Sequence, residues 1–359
     1  MNDHTYCVIM AGGTGTRFWP ISRTEKPKQF LDILGTGKTF LRSTYERFAG
    51  MIPPEHFLVV TNTAYRETVL QQLPELNANQ VLCEPLGRNT APCITYAAFH
   101  LRATDPDAVM IVTPSDHFIQ NETVFCDTVR KAVVFAADSD ALVTIGVKPT
   151  RPATGYGYIQ VEQPILHDGI NKVKTFTEKP NEELATAFIR SGDFFWNSGI
   201  FIWKAETILR KIEELLPDTY QMFSSIERYY ASDEEQRHID ALYPECRSIS
   251  IDYGVMEKTD NVYVLCGDFG WSDIGTWGSL YDFASKDDRG NASGDNAMLF
   301  DTSGCLVRIP EGKLAVIDGL TDFIVVNTDD VLLVCPKSHE QNIKKFIDAV
   351  KFTDRERFI

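Results

Sequence analysis

The stretch "VIMAGGTGTRFWPISRTEKPKQF", residues 8–30, sets three glycines directly behind an apolar run and then strings Arg17, Arg23, Lys26 and Lys28 along a segment interrupted by Pro20 and Pro27. A short β-branched run of this kind reads as a buried strand. Glycines at its end let backbone N–H groups approach a ligand with no Cβ in the way, and a run of such groups attracts anions. Arg17 and Lys28 follow as cationic clamps. Two familiar versions of the pattern do not fit. A dinucleotide fingerprint starting at Gly13 and Gly15 needs a third glycine where Phe18 stands, and the prolines break the helix it requires. The "GTGKTF" at 35–40 mimics a P-loop, but the leading glycine position is Asp32, so Lys38 reads as a turn lysine.

The bulk properties narrow the ligand. A chain of 359 residues suggests about two domains, and 43% hydrophobic with 24% charged residues is ordinary globular composition. A net charge of −15 with no basic run argues against nucleic acid, which needs a basic face to displace counterions. Residues 11–42 run against that sign, with six basic residues against Glu25 and Asp32, so the expected ligand is a small anion. No apolar stretch reaches the roughly 20 residues of a membrane span, and the first residues lack a basic region followed by an apolar one. The expectation is a cytoplasmic protein with no membrane partner. Eight cysteines without a CxxC pair and seven scattered histidines suit reduced core residues better than disulfides or zinc.

Apolar runs "CVIMAGG", "FLVVTN", "QVLCEP", "AVMIVTPSDH" and "LVTIGV" alternate with helical patterns, which predicts an α/β, Rossmann-like fold with a mainly parallel mixed sheet flanked by helices. Ligands then gather at the carboxyl ends of the strands. From 151 to 204 strand-like pieces surround one helix, as in an insertion laying a second wall across the sheet. The polar "KDDRGNASGDN" marks a boundary, giving expected domains of 1–286 and 287–359. The second is a small β module closed by a helix.

"AGGTGTRFWPISRTEKPKQF" resembles the signature of sugar-phosphate nucleotidyltransferases, and its "FWPISR" and "PKQF" parts are similar to mannose-1-phosphate guanylyltransferases. "EPLGRNTAP", "PSDH", "GYGYI", "EKP", "WNSGIF" and "GWSDIGTW" follow in family order, so the resemblance covers nearly all of 8–277. It implies transfer of GMP from GTP to α-D-mannose 1-phosphate, with Mg²⁺ and release of pyrophosphate. Gly12, Gly13, Thr14, Gly15 and Thr16 would then hold the nucleotide phosphates, and Arg17 and Lys28 would offset charge as pyrophosphate leaves. Asp116 and Asp273, carboxylates behind apolar strands, are hard oxygen ligands suited to Mg²⁺. Glu84, Arg88 and Asn89 form the expected base reader, since a carboxylate can accept from N1 and N2 of guanine. Asn89 or Thr90 could equally cap the next helix. Gly157, Glu178, Lys179 and Asn197 form the expected sugar-phosphate side. The family also implies a C-terminal left-handed β-helix, but no long hexapeptide pattern is evident, which leaves a one- or two-turn version or another small β arrangement.

No His-x-His motif supports a covalent nucleotidyl-histidine route, so direct attack on the α-phosphorus is expected. The alternatives are transfer involving another sugar or base, or a silent regulatory paralogue. The chain stops soon after its last strand-like run, without the metal-dependent cupin of bifunctional relatives, so phosphomannose isomerase activity is not expected. The oligomeric state is open, a homodimer being among the arrangements allowed.

Overall fold

The computed structural model describes residues 3–13, 15–163, 169–353 and 355–359. They form two compact units. One comprises Met1–Gly12, Leu41–Ser115 and Ile119–Trp271; the other comprises Gly13–Phe40, Asp116–Phe118 and Ser272–Ile359.

Among the described residues the first unit is built on a nine-stranded sheet. Its strands are β1 (Thr5–Met10), β2 (Phe57–Asn62), β3 (Val81–Glu84), β4 (Val109–Pro114), β5 (Leu142–Val147), β6 (Gly157–Val161), β7 (Ile170–Glu178), β8 (Phe194–Lys204) and β9 (Val262–Gly267). The spatial order is β3-β2-β1-β4-β8-β5-β9-β7-β6. The first four run parallel, as continuous apolar runs covered on both faces should. The pieces between 151 and 204 extend this same sheet instead of lying across it. β8 is long enough to be shared: its second half pairs antiparallel with β4, and its first half with β6. A register shift between Thr144 and Gly146 on β5 accommodates that divergence. The helices Thr90–Thr104 and Ala205–Leu215 pack over the sheet in an apolar core that includes Tyr96, Phe99, Ile208 and Trp203. The former starts where Asn89 accepts the Thr90 N–H at 2.9 Å.

In register, β1 and β4 end together, with Met10 opposite Pro114, and β2 ends with Asn62 opposite Glu84. The loops with chemical character therefore leave one edge of the parallel half.

The second unit packs the signature segment on the C-terminal module. Phe18, Trp19, Leu31 and Phe40 share a core with Trp277, Leu306, Ile324, Ile343 and Ile347. The Trp19 Nε1–H donates to the Phe358 carbonyl at 2.7 Å, and Arg23 pairs with Asp330. In the module β10 (Ala297–Phe300) pairs parallel with β12 (Ala315–Asp318), and β11 (Leu306–Arg308) with β13 (Phe323–Asn327). In both pairs, and between Ser303 and Thr321, the partner lies 18 positions further on. This is a parallel coil of β-helix type. Leu299, Cys305, Ile317 and Phe323 contribute to its interior at multiples of six. The hexapeptide rhythm is hidden in the sequence because exposed Glu311 interrupts it and the coil is short. β14 (Leu332–Pro336) returns antiparallel to β13.

Candidate functional site

In the second unit, Gly15, Thr16, Arg17, Lys28, Asp116 and Asp273 line one cavity of about 290 Å³. Lys28 is its centre. The residue is only 3% exposed, and its ammonium donates to Asp116 Oδ2 at 3.0 Å and to the Asp273 carbonyl at 2.7 Å. The rings of Phe18 and Phe40 lie 5.5 and 5.0 Å from it. A buried ammonium needs such a set of partners. Loss of hydration raises the Asp116 carboxyl, but Lys28 and His117 outweigh it and hold the group below the ordinary range.

The signature explains itself locally. Gly15 has φ +57°, and a Cβ there would stand 2.5 Å from Lys28 Cβ, so no other residue fits without displacing the lysine. Gln29, next to Lys28, donates to the Gly13 carbonyl at 2.7 Å, and the Ser22 hydroxyl donates to the Gly15 carbonyl. Arg17 is exposed at the cavity mouth, whereas Arg23 serves the C-terminal module. Thr14, assigned to the phosphate loop from sequence, lies outside the described residues. Asp273 sits on a tight turn. Its Oδ1 accepts the Gly275 N–H at 3.0 Å, and Ile274 between them has φ +38°, strained for a β-branched residue. Among the described residues no group of three or more His, Cys, Asp or Glu gathers as a metal cage.

In the first unit a second set is held by strand register. Gly157 on β6 is paired with Glu178 on β7 and with Asn197 on β8, so the three stand abreast. A Cβ on Gly157 would come within 2.5 Å of Glu178 Oε2. Lys179, at φ +49°, turns its ammonium back onto Glu178. Burial depresses that ammonium, but the Glu178 contact prevails and its pKa is raised. Asn197 Oδ1 accepts from the Thr144 hydroxyl at 3.0 Å, and its Nδ2 donates to Asp252 Oδ1 at 2.8 Å. Asp252, pushed up to about 6 by burial and by Glu178, is a member of this set that sequence reasoning missed. It lies on a π-helical turn, Asp252–Met256, with no strand or motif to mark it.

The third set, also in the first unit, is the "EPLGRNTAP" loop. Glu84 ends β3, is 5% exposed, and accepts the Tyr243 hydroxyl proton. Burial pushes its carboxyl up to about 7, with Tyr243 pulling the other way. Its Oε2 lies 3.0 Å from where a Cβ on Gly12 would stand. Arg88 donates to the Pro244 carbonyl, while Asn89, at φ +69°, caps the following helix.

Residues 6–290 match the nucleotidyl transferase family model, and 295–350 match the mannose-phosphate isomerase/GMP-like β-helix model. A mannose-1-phosphate guanylyltransferase of Escherichia coli is 36% identical over 97% of this chain and 76% of its own length. The alginate biosynthesis protein AlgA of Pseudomonas fluorescens is 38% identical over 96% of this chain and 71% of its own. A crystal structure from Thermus thermophilus, described as a mannose-1-phosphate geranyltransferase, superposes with a TM-score of 0.86 at 30% identity, covering 97% of this chain and 99% of that one. A strand-end glycine loop, a cavity with a buried lysine and two aspartates, a C-terminal β-coil and these matches agree: the chain belongs to the nucleotidyl transferase family of enzymes, in the group that contains the mannose-1-phosphate guanylyltransferases.

Proposed function

We propose that the protein transfers GMP from GTP to α-D-mannose 1-phosphate, releasing pyrophosphate. The observation that carries this reading is the buried Lys28, held between Asp116 and Asp273 in a cavity that Arg17 and the glycine loop also line. An oxygen of the sugar phosphate attacks the α-phosphorus, and the bond from that phosphorus to the β-bridging oxygen breaks. Negative charge grows on the departing pyrophosphate, which Lys28, fixed by its partners, and Arg17 at the mouth stabilise. Gly13, Gly15 and Thr16 present backbone N–H groups to the phosphates, Glu84 and its loop read the base, and Gly157, Glu178, Lys179 and Asn197 hold the sugar phosphate.

Asp116 and Asp273, hard oxygen donors lining one cavity, would hold a Mg²⁺ ion, with phosphate and water supplying its other ligands. When bound, the ion neutralises charge shared between adjacent phosphates. The chain's own part is to hold the Asp116 carboxylate against Lys28, which keeps it ionised, and to orient the Asp273 carboxylate through the Gly275 turn. The two family models meet between 290 and 295, which supports 1–286 as the catalytic portion and 287–359 as an accessory module.

The test is pyrophosphate release across four nucleoside triphosphates and several hexose 1-phosphates. GTP with mannose 1-phosphate should give the highest kcat/KM; a higher value for another pair would reassign the substrates, and no release with any pair would favour a regulatory role.

A further inference from the structure

Four contacts tie the "EPLGRNTAP" loop to a segment about 160 positions later. The Tyr243 hydroxyl donates to Glu84 Oε1, and Arg88 donates to the Pro244 carbonyl. The Ala91 N–H reaches the Ile249 carbonyl at 3.1 Å, and the Ile251 N–H reaches the Thr90 hydroxyl at 2.9 Å. Tyr243 opens a short 3₁₀ turn, Tyr243–Glu245, behind the helix Glu235–Leu242. Its ring is wholly buried and meets Phe223 edge-on at 5.9 Å, so packing decides where its hydroxyl points. Of the two Glu84 oxygens, Oε1 is thereby committed to Tyr243 and Oε2 is turned toward Gly12.

We propose that Tyr243 is a positioning residue for nucleobase choice, fixing the Glu84 carboxylate so that it faces the paired N–H donors of guanine. The proposal rests on the assignment of Glu84 as base reader. A glutamate carboxylate has two χ angles and a terminal rotation to lose before it can accept two hydrogen bonds in one plane. Tyr243 removes that freedom in advance, and the Arg88, Ala91 and Thr90 contacts hold the backbone beneath it. Adenine, with an acceptor at N1, presents nothing to a carboxylate so held, whereas hypoxanthine keeps N1–H and lacks the 2-amino donor.

The experiment compares wild type, Tyr243→Phe, Glu84→Gln and the double variant with GTP, ITP and ATP as substrates, alongside thermal melts. Tyr243→Phe should raise KM for GTP about tenfold, the scale of one hydrogen bond to a charged group. It should narrow the GTP-to-ITP ratio of kcat/KM while kcat and KM for mannose 1-phosphate stay within about twofold of wild type. Because Tyr243 acts through Glu84, the double variant should be no worse than Glu84→Gln. If Glu84→Gln narrows the ratio and Tyr243→Phe does not, Tyr243 only packs and the proposal fails. If Glu84→Gln leaves the ratio unchanged, the base-reading assignment itself falls, and the positioning role with it. Should Tyr243→Phe melt early, Thr90→Val cuts the same strap at its other end and is read by the same ratio.

Discussion

At Glu84 the protein holds a carboxyl near its titration point at neutral pH, because burial raises it to about 7 against the pull of Tyr243. The folded state binds this proton more tightly than the unfolded chain does. Its contribution to stability is therefore full below the ordinary carboxylate range and is lost as pH rises from about 4.5 to about 7. Guanine donors would favour the ionised form, so GTP binding near pH 6.5 should release a fraction of a proton, seen as a buffer-dependent enthalpy in titration calorimetry. Glu84→Gln should abolish the release and make stability fall less steeply between about pH 4.5 and about 7; a persistent release would place the titrating group elsewhere. Lys28 presents the opposite case, a cation whose partners are complete before substrate arrives. Lys28→Ala should lower turnover by about a hundredfold or more, on the scale of about 3 kcal/mol for one transition-state contact. Arg17→Ala, exposed at the mouth, should lose about as much in turnover, with sugar binding little changed. Single-turnover pyrophosphate release for each variant checks both, and near wild-type rates would remove these residues from the chemistry.

Among the elements, the trio of β6, β7 and β8 makes the sharpest case, since register alone sets Gly157 between Glu178 and Asn197. Gly157→Ala would force Glu178 Oε2 away from a Cβ only 2.5 Å distant. The expected outcome is a rise of about tenfold or more in KM for mannose 1-phosphate with little change in KM for GTP, measured by initial rates. An equal rise for both substrates would mean that the strand, and not the carboxylate, had moved. The parallel strands and the loops behind them were legible as elements, because β1 to β4 are continuous apolar runs with turn residues after them. The sharing of β8 was not legible: a single strand that pairs with β4 in one half and β6 in the other carries no periodic mark of the change. Asp252 stayed hidden for a related reason, since its π-helical turn breaks the 3.6-residue rhythm on which helix reading depends. The β-coil was obscured by Glu311 and by its few turns.

For the molecule as a whole, sequence order and spatial order part company. The signature reads as one motif, yet among its described residues Gly15, Thr16, Arg17, Phe18 and Lys28 line the cavity, while Trp19 and Arg23 serve the C-terminal module. A motif reads the same for chemistry and for packing, so sequence alone did not separate the two uses. The partly exposed Arg23–Asp330 pair contributes little by itself, about 1 kcal/mol at most. The shared apolar core contributes more. Removing residues 343–359 would take Ile343 and Ile347 out of the core that holds Phe18 and Trp19. Turnover should drop by about a hundredfold or more as Lys28 loses its fixed setting, with limited proteolysis cutting first within 13–40. Unchanged turnover would show that the signature segment holds its own shape. The bond from Trp19 to Phe358 spans 339 positions. During synthesis the phosphate loop must therefore wait for more than 300 further residues before it finds this partner. A nascent chain with every strand of the large sheet already made would still lack the segment that seats its phosphate loop, so building the sheet and becoming competent for chemistry are separate events of synthesis.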